Sequence, residues 1–392
     1  MTEQQDGFSS GNFQPIGKLS AEDIRTGNID RAEVAHDYTR ENLRPETLPI
    51  FIKLIWQDLA WENILLPKQG MDHAVILLEG VRSDEGEFAD MVPNRVIVRA
   101  PYTEAYRLQA SRESGVIAAL GHRSNARLPQ TVRQAHVPRR FTGNQRRIRV
   151  TLLSVIDGTP LDANVWQQMN AEQQELVVEQ LGSLLAAMHT MNSSLPPASN
   201  LESWWADGPG QSDATGVHEV GGVPISPATE GEAHELNYTE RTLPGKHEVM
   251  RRRMVEVLKP ELSAAEYARA EGIMAEVDDM LARTDLRRCL THGDLSREHL
   301  LWLPDQGVGV LDFSDMTVGD PALDYAHFET IAPGLTKRIF DHAGVAAEDV
   351  ADPQVVFEDE DLLKRAKLYK RWDNLFLLID HYRTGRSPRV EI

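Results

Sequence analysis

Cysteine is almost absent from this chain: one residue, Cys289, among 392, which leaves no internal disulfide. No apolar run approaches the ~18 residues of a membrane-spanning helix; residues 375–379 are typical of the longest. The opening residues, MTEQQDGFSSG, lack the basic and apolar regions of a secretory signal. Basic residues are in short supply: 41 Lys and Arg stand against 60 Asp and Glu, a formal net charge of −19. A nucleic-acid binder needs a basic face that releases counterions, and this balance argues against one. The same charge would attract a cationic small molecule over long range, or simply keep an acidic surface solvated. Together these absences predict a soluble, cytoplasmic protein that binds neither nucleic acid nor a membrane.

What is present is enough for two lobes: 392 residues, 41% of them apolar. Residues 1–45 are polar and read as a flexible N-terminal tail, with a short helix begun by Ser20 as N-cap. The stretch ETLPIFIKLIWQDLAWENILLP sets Ile52, Ile55, Trp56 and Leu59 at helical spacing, which predicts one amphipathic helix ended by Pro67. HAVILLEGV and NRVIVRAP are β-branched strand candidates. YTEAYRLQASRESGVIAALG reads as a helix, with Thr103 as cap and Gly121 as its stop. Two further strands are expected up to about residue 153, joined by a loop at Thr142, Gly143 and Asn144. Beyond the connector near Asp157 the pattern turns helical: Val178, Leu181, Leu185 and Met188 share one face. Residues 194–245 are rich in Gly, Pro, Ser and Glu and read as a low-order insertion, with Trp204 and Trp205 near its start. Helical periodicity resumes from about His247. The expected divisions are a tail (1–45), an N-lobe (46–153) and a helical C-lobe (154–392).

The chemistry concentrates in LTHGDLSREHLLW. Gly293 permits a sharp bend between His292 and Asp294. Apolar chain resumes at Leu300 and Leu301, and the turn at Pro304, Asp305, Gln306 and Gly307 leads into a second strand that carries Asp312. Two aspartates on either side of one hairpin can converge on one site, one taking a proton from a hydroxyl and the other holding a metal; His299 can face the same place. His292 reads as a hydrogen-bonding brace for the loop, and Asp320 and Asp324 as caps or braces for the helix after Pro321. Phosphoryl transfer needs this division of labour plus a cation on the nucleotide phosphates. Arg99 in VIVRAP is the cation candidate. Glu113, on a buried stripe of the next helix, is costly there unless paired, and Arg99 is its natural partner.

These segments, in this order, resemble the aminoglycoside and macrolide phosphotransferase family, the antibiotic-kinase relatives of choline kinase and protein kinases. HGDLSREH resembles the HxDxxxxN catalytic loop, LDFSD the segment of the metal-binding aspartate, and GDPALDYAHF the GDPxxD segment that follows. QGMDHAVILL looks like the nucleotide loop of the macrolide branch, LLSVIDGTPL like the hinge, and LGSLLAAMHT like a family helix ending. The resemblance implies an α+β, protein-kinase-like two-lobe fold, with a small β-rich N-lobe and a larger helical C-lobe. It also implies an enzyme that transfers the γ-phosphate of ATP or GTP to a hydroxyl of an antibiotic-like compound, with Mg2+. Asp294 would be the catalytic base-side residue, Asp312 the main magnesium ligand, and Arg99 with Glu113 the phosphate-side pair. Ser154 and Ile156 would present backbone groups to the base, and Gly70, Asp72 and His73 would lie over the phosphates. His299 stands where most of the family has Asn; it is read either as a second metal ligand or as a structural histidine orienting Asp294. Arg99 stands where protein kinases use Lys, which keeps the charge and changes the geometry. A housekeeping kinase for an amino alcohol or sugar, or a non-catalytic pseudokinase, would fit the same segments.

Overall fold

The computed structural model describes residues 8–9, 13–16, 18–30, 34, 43–67, 73–84, 92–102, 104–142, 148–191, 218–220, 223–225, 243–286, 289–348, 361–385 and 387–392. The chain divides into two compact units, residues 1–117 with 129–156, and residues 118–128 with 157–392. The boundary expected from the sequence lies at 153/154. Nothing in the local pattern of residues 118–128 signals that they fold with the second unit.

The first unit is built on an antiparallel sheet of β1 (Phe8–Ser9), β2 (Asn63–Pro67), β3 (His73–Glu79), β4 (Arg95–Pro101), β5 (Thr131–His136) and β6 (Arg149–Ser154), in the order β1-β2-β3-β4-β6-β5. Alternation along the strands sorts the two faces. Val96, Val98, Ala100, Val150 and Leu152 enter one apolar core. Arg99 and Thr151, opposite each other in the β4–β6 register, belong to the other face.

Two expectations change here. Residues before 45 are not all tail: α1 (Ala21–Thr26) is capped at Ser20 by a capping box, and Phe13, Leu19, Ile24, Ile29, Val34 and Leu43 are buried in the sheet's core. The fastening is specific. Trp61 Nε1 donates to Arg25 O at 2.9 Å, and Gly27, with φ 69°, lies where a Cβ would come within 2.5 Å of the Trp61 ring. Polar composition hid this, because a few spaced apolar residues suffice to dock a short segment. The single long helix before Pro67 is also not formed. Helix α2 (Leu48–Ile55) stops at Trp56, and the following ILLP becomes strand β2 against β3. An apolar run this short is ambiguous between helix and strand, and here the neighbouring strand decides. Helix α3 (Glu104–Leu120) forms where its periodicity predicted.

In the second unit, helix α4 (Ala171–His189) starts from a capping box at Asn170 and buries Val178, Leu181, Leu185 and Met188. It packs on α7 (Leu335–Glu348), with Gly182 giving the close approach to His342. Helices α5 (Leu243–Arg253) and α6 (Ala264–Leu281) follow, and α8 (Leu362–Thr384) lies against α6. Five short strands carry the turns of interest: β7 (Thr159–Pro160), β8 (Cys289–Thr291), β9 (Leu300–Leu303), β10 (Gly307–Val310) and β11 (Thr317–Gly319). β9 pairs with β10 and β7, and β8 with β11, all antiparallel. Cys289 is buried and free. Among the described residues no helix is long and apolar enough to cross a membrane. The loop at Gly143 and Asn144, the cap Thr103, Trp204, Trp205 and most of residues 194–245 lie outside the described residues.

Replacing Ile24 by Ala tests the docking of the N-terminal segment. A fully buried isoleucine truncated to alanine should cost about 2–5 kcal/mol in denaturant unfolding of the first unit, whereas a solvated tail would lose nothing measurable.

Candidate active site

The turn His292, Gly293, Asp294 leaves β8 and is held by one carboxylate. Asp324, wholly buried, accepts the His292 N–H at 3.1 Å and the Gly293 N–H at 2.9 Å. Its Oδ2 also meets His189 Nε2, from the last turn of α4, at 3.0 Å. Gly293 has φ 86°, and a Cβ there would lie 2.4 Å from the Asp315 carbonyl oxygen, so only glycine fits on both conformational and steric grounds. His292 is fully buried, and burial pushes its imidazole below the ordinary histidine value. The neutral ring uses both nitrogens: Nε2–H donates to Leu311 O at 3.0 Å, and Nδ1 accepts the Asp294 N–H at 3.3 Å. It braces the loop, as expected. Asp320 also braces and caps: it accepts the Ala322 N–H and takes Arg365 of α8 through two bonds, at 2.7 and 3.1 Å. Asp324 was read as a partner for the helix after Pro321; its carboxylate instead reaches the turn before Asp294. The GDPxxD spacing marked the residue but not the direction in which it acts.

Asp312 ends the other arm. Its φ of 57° makes it the one non-glycine residue in the left-handed region among the described residues, a conformation that stores strain and recurs at functional sites. Its side chain accepts the Ser314 N–H at 3.2 Å, and Phe313 behind it is fully buried against the His292 ring, centroids 4.6 Å apart.

His299 joins the two aspartates. Nδ1 lies 3.3 Å from Asp294 Oδ2 and 3.0 Å from the Asp294 carbonyl oxygen, while Nε2 lies 3.7 Å from Asp312 Oδ2. Burial alone would lower this imidazole, but the Asp294 and Asp312 carboxylates outweigh it and hold it up at about 10. Burial would likewise raise Asp294; the hydrogen bond and charge of His299 reverse this and keep the carboxyl well below the usual range. Asp294 is therefore an anion beside an imidazolium. His327 and Asp373 of α8, 3.8 Å apart, are within electrostatic reach of Asp294. Burial is the main cause of both their shifts, His327 downward and Asp373 upward.

No group of three or more His, Cys, Asp or Glu suited to a metal ion occurs among the described residues. Magnesium keeps several waters and commonly takes one or two carboxylates together with nucleotide phosphates. The half-exposed Asp312 carboxylate suits an ion carried in with a nucleotide. A protonated His299 has no lone pair to offer, so it could ligate only after losing its proton.

In the first unit Arg99 and Glu113 form the expected ion pair, with both side chains largely buried. Arg107 and Arg149 are buried as well; burial, then the charges of Arg107 and Arg99, bring the Arg149 guanidinium down to about 10. Ser154 ends β6, its Oγ accepting the Gln130 N–H at 2.8 Å and its own N–H donating to Gln130 O. Ile156 follows, partly exposed. His73 begins β3 with its side chain buried, opposite Pro101. Gly70 and Asp72 lie outside the described residues. The structure thus gathers Asp294, His299 and Asp312 in one unit, and Arg99, Glu113, His73, Ser154 and Ile156 belong to the other.

The β sheet with its paired helix, followed by a helical unit with this hairpin, defines a kinase-like α+β fold. Solved structures agree. The GDP and kanamycin complex of APH(2")-IIia matches with a TM-score of 0.56 at 15% identity, over 86% of this chain and 93% of that one. The GDP complex of wild-type aminoglycoside 2'-phosphotransferase-IIIa matches with 0.55 at 15%, over 86% and 92%, and the gentamicin complex of APH(2")-IIa with 0.50 at 14%, over 88% and 92%. No curated protein matches the chain. Within that fold class the sequence is specific: the model of the phosphotransferase enzyme family (APH) matches residues 93–354, more than half of the chain, and the protein belongs to that family.

Asp324→Ala should leave two turn N–H groups and His189 facing a void, at a cost of about 1–3 kcal/mol per buried group left unsatisfied. Thermal unfolding should show the loss, and protection of the His292 and Gly293 amides against hydrogen exchange should fall.

Proposed function

We propose that the protein is a small-molecule kinase that transfers the γ-phosphate of ATP or GTP to a hydroxyl of an antibiotic-like compound of the aminoglycoside or macrolide kind. The observation that carries this is the trio: Asp294 and Asp312, from two different turns, flank one imidazolium at 3.3 and 3.7 Å. Family membership supports the reaction class, and the acidic balance of the chain, −19, favours an acceptor that carries amines.

Phosphoryl transfer goes through a loose transition state in which positioning and charge neutralisation do most of the catalysis. A strongly acidic Asp294 is a poor base toward an intact alcohol. In this reading its carboxylate orients the acceptor hydroxyl as hydrogen-bond acceptor, and takes the proton late, as the oxygen bonds to phosphorus and becomes acidic. His299 keeps Asp294 ionised and fixes its carboxyl by bonding both its side chain and its carbonyl. Asp312 would hold magnesium, which when bound neutralises charge on the phosphates. Arg99, held by Glu113, would meet the phosphates, with the segment of Gly70, Asp72 and His73 over them. The backbone at Ser154 and Ile156 would meet the purine.

The test is magnesium-dependent release of nucleoside diphosphate from ATP and from GTP, with a panel of aminoglycosides, macrolides and amino alcohols. Asp294→Asn should lose roughly 10²–10⁴-fold in turnover, the range for a positioned acid–base group, while still binding nucleotide. Asp312→Asn should weaken binding of the magnesium nucleotide. Full turnover in Asp294→Asn, or wild-type protein that binds no nucleotide, would overturn the reading.

A further inference from the structure

Lys246 lies outside every segment that the resemblance singled out. It is the fourth residue of α5, at the end of the first turn, and its Nζ meets Asp315 Oδ1 at 2.5 Å. Asp315 is where the two functional turns touch. It closes the single 3₁₀ turn that begins at Asp312 (Phe313–Asp315), and its carbonyl oxygen packs against Gly293, so closely that a Cβ there would lie 2.4 Å away. One residue therefore bears on the Asp312 turn through its backbone and on the Asp294 turn through its carbonyl. Its side chain is held from a third element.

The helix that provides Lys246 is itself fixed. Leu243 packs over Gly319 of β11, and His247 and Arg251 both bond the Asp278 carboxylate of α6, at 2.9 and 2.6 Å. The ammonium is thus presented from a braced helix to the Asp315 carboxylate, which belongs to the turn that begins at Asp312. The strained φ of Asp312 must be maintained by its surroundings, and the Lys246–Asp315 pair is a contact able to do so from outside the hairpin.

We infer that Lys246 is a positioning residue for phosphoryl transfer: by holding Asp315 it keeps the Asp312 turn in its left-handed conformation and in register with the Asp294 turn. The inference rests on the kinase reading above for its effect on rate, but its structural part does not. The pair is partly exposed, 26% for Lys246 and 43% for Asp315, so its influence is that of a half-solvated ion pair, about three- to fivefold.

The experiment compares Lys246→Met, Lys246→Arg, Asp315→Asn and the Met/Asn double variant in two measurements. Hydrogen exchange of peptides spanning residues 289–320 reads the turns without any catalysis. Lys246→Met and Asp315→Asn should each speed exchange there about three- to fivefold, the double variant no more than either, and Lys246→Arg should restore protection. In the kinetic assay the same two single variants should lower kcat by a similar factor and raise the magnesium concentration for half-maximal rate, with the acceptor KM unchanged. Unchanged exchange in Lys246→Met, or additive effects in the double variant, overturns the inference. Altered exchange with unchanged kcat and magnesium dependence overturns its catalytic part. A wild type inactive toward every acceptor would count against the kinase reading and leave the exchange result to decide the coupling.

Discussion

A carboxylate with no access to water organises the second unit. Asp324 is stable in the interior because its two oxygens meet two backbone N–H groups and the His189 ring, and a buried anion tolerates nothing less. That requirement fixes three elements at once, the end of α4, the β8 turn and the GDPALD segment, while nearby Asp320 separately takes Arg365 of α8. The turn that presents Asp294 is consequently held from behind by charge-assisted bonds, and its front is free for chemistry. His292 completes the brace by spending both ring nitrogens on backbone groups.

The front of the site follows a different electrostatic rule. Each carboxylate meets a basic side chain: the His299 ring lies between Asp294 and Asp312, and Lys246 pairs with Asp315. His299 comes from within the hairpin and Lys246 from a helix. A histidine stands where most of the family has asparagine, and its ring lies between the two carboxylates, 3.3 Å from Asp294 and 3.7 Å from Asp312.

Much of this was legible in the sequence. The HGD turn, the strand return at Leu300 and Leu301, and the Arg99–Glu113 pair rest on local pattern or on a stripe position, and such signals survive folding. What was not legible depended on distant partners. Nothing in a polar N-terminal stretch shows that the Arg25 carbonyl and Trp61 will meet, and nothing in ILLP shows which strand awaits it. Asp324 was marked by its motif, yet which backbone groups it accepts from depends on a turn about thirty residues away. Lys246 follows a stretch rich in Gly, Pro, Ser and Glu that gave no reason to look there. Residues 118–128 fold with the second unit through backbone pairing of Arg127 with Val308 and Val310, which carries no side-chain signature.

That pairing has one more effect when joined to Gln180. Strand β10 is the outer member of its small sheet, and an uncovered outer strand is an invitation to another chain. Here Arg127 donates to Val308 O and accepts from Val310 N–H, while the Gln180 carboxamide accepts from Val308 N–H and donates to the carbonyls of Asn125 and Gln306. A side-chain amide thus imitates the peptide group of a missing neighbour strand. The rim of the hairpin is closed to intermolecular pairing, so the sheet can stay this small without becoming a seed for self-association.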